Sequence, residues 1–201
     1  MSTFFPRLFG STFFRGFAMA IAIANCLLAG CISSASAENF LSDCVVLIVR
    51  HAEKPESGAG LTEQGMRRAE IYAHYFDPFT AGSVNTTPGL LIASADSDNS
   101  ERPRLTLGPL SRALGLPIDT RFADHEEKEL AVFLTTTPHG KAILIAWHHG
   151  KLAKLIRALG GTPDDILPNG QWPSKVYDWV VELRFDHNGI LATQKVIHEG
   201  F

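Results

Sequence analysis

The amino-acid sequence predicts an α/β domain built on a mixed sheet that is covered on both faces. Two observations carry this. Apolar, β-branched runs at 45–49 (VVLIV), 90–93 (LLIA) and 142–147 (AILIAW) alternate with helix-compatible segments, the pattern of parallel strands joined by crossovers. Near the C-terminal end, Asn188-Gly189 separates two further strand-like stretches, a hairpin signal that adds antiparallel strands.

Residues 1–37 stand apart from that domain. Arg7 and Arg15 lie in a stretch without acidic residues, an apolar run GFAMAIAIANCLLAG follows at 16–30, and Ala35-Ser36-Ala37 has the small-x-small form of a cleavage zone. This is the order of an export signal. The run of about 15 apolar residues is short for the ~30 Å hydrocarbon core of a bilayer. Leu28-Ala29-Gly30-Cys31 also resembles a bacterial lipoprotein box, so a membrane tether is implied if Cys31 is lipidated. On either reading the chain is exported, to the periplasm or the medium, and residues 38–201 form one domain.

Without Arg7 and Arg15 the 18 basic residues fall to 16 against 21 acidic ones. That balance, with no basic tract, argues against nucleic acid as a partner. Of the three cysteines, Cys26 and Cys31 lie in the export segment. Cys44 alone remains after the Ala37 cut, and is read as a small buried hydrophobe rather than half of a disulfide.

Taken in order, 44–49 is the first strand and Pro55–Gly60 a loop. Leu61-Thr62-Glu63-Gln64-Gly65 opens a helix to about Tyr75, with Thr62 as N-cap. Met66, Ala69 and Tyr72 are spaced to face the core, with Arg67, Arg68 and Glu70 on other faces. Residues 77–88 read as a surface connection and 89–94 as the second strand. A polar stretch at 95–101 leads to a helix from Arg102 to about Leu114, striped by Leu107, Leu110, Ser111 and Leu114 and ended by Gly115-Leu116-Pro117. A short strand at 118–122 and an acidic helix at 124–134 follow. Residues 142–147 are the clearest strand, with a helix at about 151–159. Residues 164–174 read as a loop, and 175–185 and 190–198 as the closing strands.

Four charged positions lie just past strand-like runs: Arg50, His51, Arg102, and His148 or His149. Open α/β sheets bind ligands at the carboxyl ends of their strands. Two guanidiniums there can clamp a phosphoryl group, and a histidine can attack phosphorus while another bonds the equatorial oxygens. Gly150, after the paired histidines, opens a helix whose first N–H groups also suit an anion.

Arg50-His51-Ala52-Glu53-Lys54, the Leu61-Thr62-x-x-Gly65 segment and the His-Gly junction resemble the histidine phosphatase superfamily, branch 1, the phosphoglycerate-mutase-like type. The resemblance spans nearly all of 44–185. It implies a three-layer α/β/α fold with a central, mostly parallel, mixed sheet. It makes His51 the nucleophile, Arg50 the first phosphate-binding arginine, and Arg102 of Arg102-Pro103-Arg104-Leu105-Thr106 the second, with Arg104 peripheral. For the second histidine it offers His148, directly after the strand, or His149, as in the Trp-x-His form of Trp147-His148-His149, and favours His149. For the proton donor it offers Asp124, followed by Glu126 and Glu127. Glu53, beside His51 in sequence, is a further candidate to orient it or to supply a proton.

The chain departs from the family pattern at Ala52, where glycine is common, at Leu105, and at 55–60, which lacks the usual asparagine. This speaks against a sugar-phosphate mutase. The absence of a large insertion speaks against the larger-branch acid phosphatases and phytases. The expected function is an exported phosphomonoesterase acting on a small phosphorylated substrate through a phosphohistidine on His51. No metal or cofactor is implied. The alternatives are a catalytically weak domain that binds phosphate ligands, and a phosphohistidine-protein phosphatase.

Overall fold

In chain order the elements are β1 (Val45–Arg50), α1 (Glu63–Tyr75), β2 (Phe79–Ala81), β3 (Val84–Thr86), β4 (Leu90–Ala93), α2 (Arg102–Leu114), β5 (Ile118–Asp119), α3 (Glu127–Thr136), β6 (Ala142–Trp147), α4 (His149–Ala158), α5 (Pro163–Ile166), β7 (Trp179–Phe185) and β8 (Leu191–His198). These come from a computed structural model, which describes residues 38–201. The expected export segment, with Cys26, Cys31 and both cleavage sites, lies outside the described residues.

The main sheet has the order β5-β4-β6-β1-β7-β8. β5, β4, β6 and β1 run parallel, β7 is antiparallel to β1, and β8 is antiparallel to β7. Alternation along β1 sorts its side chains to two faces. Val46 and Ile48 pack with Leu130 and Leu134 of α3 and Leu152, Leu155 and Ile156 of α4. Leu47 and Val49 pack with Tyr72 of α1 and Leu107 and Leu110 of α2. The molecule is therefore a three-layer α/β/α sandwich with a mostly parallel, mixed sheet. Each fully buried aliphatic side chain of the central strands contributes about 1.5–3 kcal/mol. Cys44 is buried and free, as its sequence context suggests.

Several local expectations are corrected. Residues 77–88 hold the hairpin β2–β3, whose Phe79 is fully buried against Phe76. The segment 164–174 carries the end of α5 and a 3-10 turn at Pro168–Gly170. Met66 is half exposed, while Arg68 is buried by its carboxylate partners. β7 begins at Trp179 rather than at 175, because the carbonyls of Ser174 and Val176 are engaged by a side chain instead of a neighbouring strand.

The Leu-Thr-x-x-Gly segment has a packing explanation. Thr62 caps α1 by accepting from the Gly65 N–H, and its own N–H donates to the Glu53 carbonyl. Gly65 lies directly beneath that backbone. A Cβ there would stand 2.6 Å from the Glu53 oxygen and 3.0 Å from its nitrogen. Helix propensity alone favours Ala over Gly by about 1 kcal/mol. At Gly65 the sign is reversed: Gly65→Ala is expected to destabilise the domain by roughly 1–3 kcal/mol. Gly150 of α4 has nothing within 4 Å of a built Cβ, so Gly150→Ala is expected to be neutral or stabilising. Urea unfolding of the two variants side by side checks the contrast.

Candidate active site

Parallel pairing of β1 with β6 aligns Arg50 with Trp147, and the His51 N–H extends the ladder to the Trp147 carbonyl at 2.9 Å. The residues immediately beyond, His51 and His148, are thereby neighbours. Their rings meet edge to face with centroids 5.2 Å apart. His149 is the first residue of α4, one position further on. Its charged form is disfavoured by burial and then by Arg50 and Lys54.

His51 is 2 % exposed. Its Nδ1 lies 2.7 Å from the Ala52 carbonyl oxygen. A carbonyl only accepts, so the neutral ring carries its proton on Nδ1 and Nε2 holds the free pair. Burial drives the His51 pKa down to about 3 against that hydrogen bond, helped by the charges of His148, Arg50 and Arg102. An imidazole in this state is a nucleophile without prior deprotonation.

Arg50 is fully buried. Its Nη1 donates to the Ser174 carbonyl at 2.6 Å and the Val176 carbonyl at 3.1 Å, and its Nη2 to the Tyr177 hydroxyl at 2.9 Å. Arg102, at the first turn of α2, donates from Nη1 to the Gly58 carbonyl at 2.9 Å and from Nη2 to the Asn99 carbonyl at 3.1 Å. In both guanidiniums the buried Nε has no partner among the described residues. Leaving such a donor unsatisfied costs about 1–3 kcal/mol. Burial disfavours the charge of each, and Arg50 also feels the repulsion of Arg102. An anion accepting from both would remove both penalties.

A cleft of about 360 Å³ opens at Arg102 and His148, lined also by Asp96, Asn99, Asp124 and His125 among others. Asp124 is held in place by its carbonyl, which accepts from the Trp147 indole at 3.1 Å. Burial lowers the pKa of His148, and Asp124 opposes that shift more strongly than any other charge. The other acidic candidates are placed elsewhere. Glu126 accepts from the Ala123 N–H at 2.7 Å, and Glu127 is buried at the start of α3, lining a separate cleft with Lys128 and Lys154. Glu53 is turned onto Arg68, which donates to it from Nε and Nη2, each at 3.0 Å. Arg68 also pairs with Glu199, which accepts from the Tyr72 hydroxyl at 2.5 Å. Glu53 thus anchors the backbone behind His51. Arg104 is spent on Asp96 at 2.6 Å and Glu101 at 3.1 Å. Lys54 is exposed. Among the described residues no group of three or more His, Cys, Asp or Glu side chains could hold a metal ion.

Two contributors have no role assigned by the sequence alone. Tyr177 stacks on Arg50, and Thr106 secures the backbone next to His51. The Thr106 hydroxyl accepts from the Ala52 N–H at 2.8 Å and donates to the Arg102 carbonyl at 2.8 Å. It therefore ties the segment after β1 to the first turn of α2. The Arg-x-x-x-Thr spacing pointed to this residue, but not to its bond across the chain.

The three-layer α/β/α fold is of the phosphoglycerate-mutase-like type. It is similar to the structure of the protein histidine phosphatase SixA complexed with tungstate, with a TM-score of 0.52 and 16% identity over 75% of this chain and 95% of that one. A phosphoglycerate mutase from Plasmodium falciparum matches at 0.48 and 16%, covering 80% of this chain and 91% of that one. A mycobacterial glucosyl-3-phosphoglycerate phosphatase matches at 0.47 and 14%, covering 77% and 97%. No family model and no curated protein matches the sequence. The likeness to the SixA structure, at 16% identity, shows the fold alone, and function has to be argued from the site.

Replacing Thr106 by Val leaves the buried Ala52 N–H without its acceptor. The variant is expected to lose about 1–3 kcal/mol of stability, measured by chemical denaturation.

Proposed function

We propose that this domain is a phosphomonoesterase that works through a phosphohistidine on His51. The observation that carries the proposal is a neutral, buried His51 with a free Nε2 beside two arginines that each keep an unsatisfied buried N–H. Arg50, Arg102 and one imidazole hold the phosphoryl oxygens. For that imidazole we take His148, because its ring is the one in contact with His51. Nε2 of His51 attacks phosphorus as the ester P–O bond breaks, and protonated Asp124 gives its proton to the departing alkoxide. Water then attacks the phosphohistidine and returns a proton to Asp124, inorganic phosphate leaves, and the Nε2 pair is restored. The arginines supply the charge stabilisation throughout.

The reading of residues 1–37 as an export segment sets this chemistry outside the cytoplasm, where a small phosphate ester is a more accessible substrate than a phosphorelay protein. A polar cleft containing Asp96, Asn99 and Asp124 suits a hydrophilic alcohol portion.

The test is a panel of phosphate monoesters, with a phosphohistidine peptide included, assayed against pH with His51→Ala as the blank. Turnover by the parent, none by His51→Ala, and acid-labile phosphate trapped on the parent alone is the expected result. Phosphoenzyme that persists in His51→Ala contradicts the mechanism.

The pH dependence follows from His51. With its pKa depressed to about 3, it stays unprotonated as the pH falls through the ordinary histidine range. The value of kcat/KM is therefore expected to show no loss from His51 protonation between pH 7 and about pH 5. An acid limb titrating near the ordinary histidine pKa is the opposing result.

A further inference from the structure

Tyr177 sits in the connection that leads into β7, next to β1 in the sheet. Its ring lies 3.7 Å from the Arg50 guanidinium carbon and 6.3 Å, edge to face, from the His51 ring. Its oxygen accepts from Arg50 Nη2 at 2.9 Å. Tyr177 also lies within electrostatic range of Arg102. A phenol carries one donor as well as its acceptor pairs. The acceptor side is used by Arg50, and the O–H donates to no protein group among the described residues.

The Arg50 guanidinium has five N–H donors, three of which are met by Ser174, Val176 and Tyr177. One Nη2–H and the Nε–H remain, and Nε is buried without a partner. The spare donors of Arg50, the spare Nε–H of Arg102 and the spare O–H of Tyr177 belong to three residues that all act on His51, the two guanidiniums through their charge and Tyr177 through its ring. Three donor residues close to one nucleophile suit a tetrahedral oxyanion, whose three non-bridging oxygens each need a donor.

We propose that Tyr177 is a further phosphoryl-binding residue: its ring fixes the plane of Arg50 by stacking, and its O–H donates to a non-bridging oxygen of the bound phosphate group. This rests on the reading of Arg50, His51 and Arg102 as a phosphoryl site. A phosphoryl-binding O–H shares its proton without transferring it, so this role is distinct from that of the proton donor. It contacts the part of the substrate common to all esters. Its loss should therefore affect every ester by a similar factor, whereas a residue that recognises the alcohol would affect some and spare others.

Tyr177→Phe keeps the stacked ring and removes the hydroxyl. Its affinity for inorganic phosphate, measured by calorimetry, should fall about tenfold or more, the range for a hydrogen bond to a charged group. Its kcat/KM should fall by a comparable factor across esters of unrelated alcohols. Unchanged phosphate affinity and unchanged kcat/KM in a variant with the parent's thermal midpoint overturn the proposal. A second measurement needs no variant to fold. The chain has three tyrosines, and in ring-labelled parent protein phosphate should shift the Tyr177 Cζ resonance most. No shift on saturation with phosphate overturns the assignment.

The outcomes also separate this proposal from the esterase reading. Phosphate binding that depends on Tyr177, with no ester turned over, upholds the Tyr177 assignment and contradicts the esterase. Turnover that is indifferent to Tyr177→Phe upholds the esterase and contradicts the assignment. A parent protein that binds no phosphate contradicts both.

Discussion

The site depends on the parallel pairing of β1 and β6 at the middle of the sheet. Because the strands run the same way, their carboxyl ends emerge together, and the hydrogen bond from the His51 N–H to the Trp147 carbonyl carries the register one step past the strands. Two histidines almost a hundred residues apart in sequence become neighbours without any long-range side-chain bond between them. The flanking elements add to this pair from either side. The β4 side brings Arg102 and Asp124, and the β7 side brings Tyr177 and the carbonyls that seat Arg50.

Holding a guanidinium and a nucleophilic imidazole out of water is expensive, and the surrounding chain shows how it is offset. Arg50 is given two carbonyls and a stacked phenol. His51 discards its charge and fixes its remaining proton on Ala52. The backbone behind them is pinned three times: by Thr106 to α2, by Thr62 and Gly65 to α1, and through Glu53 to Arg68. Beyond Arg68 the chain of contacts continues to Glu199, which burial pushes up to about 7 against the pull of Tyr72 and Arg68. Such a second layer holds the reacting groups at fixed positions, which is where most of the electrostatic advantage of a preorganised site arises.

The layers of the fold were legible because buried parallel strands are written as continuous apolar runs, as in 45–49 and 142–147. The hairpin β2–β3 was not, since strands of three residues leave too short a pattern beneath Pro, Gly and Asn. Arg50 and His51 were readable as polar residues ending an apolar strand. A one-residue ambiguity at a strand-to-helix turn left both His148 and His149 open in sequence, with His149 favoured, and the start of α4 at His149 and the contact of the His148 ring with His51 separate them in space. Glu53 looked catalytic by proximity in sequence, but its partner Arg68 lies on another element, and no spacing rule brings the two together. Tyr177 was invisible for a related reason. Nothing in an isolated tyrosine before a strand signals a guanidinium stacked on it.

The chemistry proposed for this site depends on the state of one ring. Long-range proton–nitrogen NMR of the histidine side chains, followed over pH, reads it directly in the full chain. His51 should appear as a neutral imidazole protonated on Nδ1, with an unprotonated Nε2 that persists well below the ordinary histidine pKa. A His51 ring that carries its proton on Nε2, or that becomes imidazolium near pH 6.5, contradicts it.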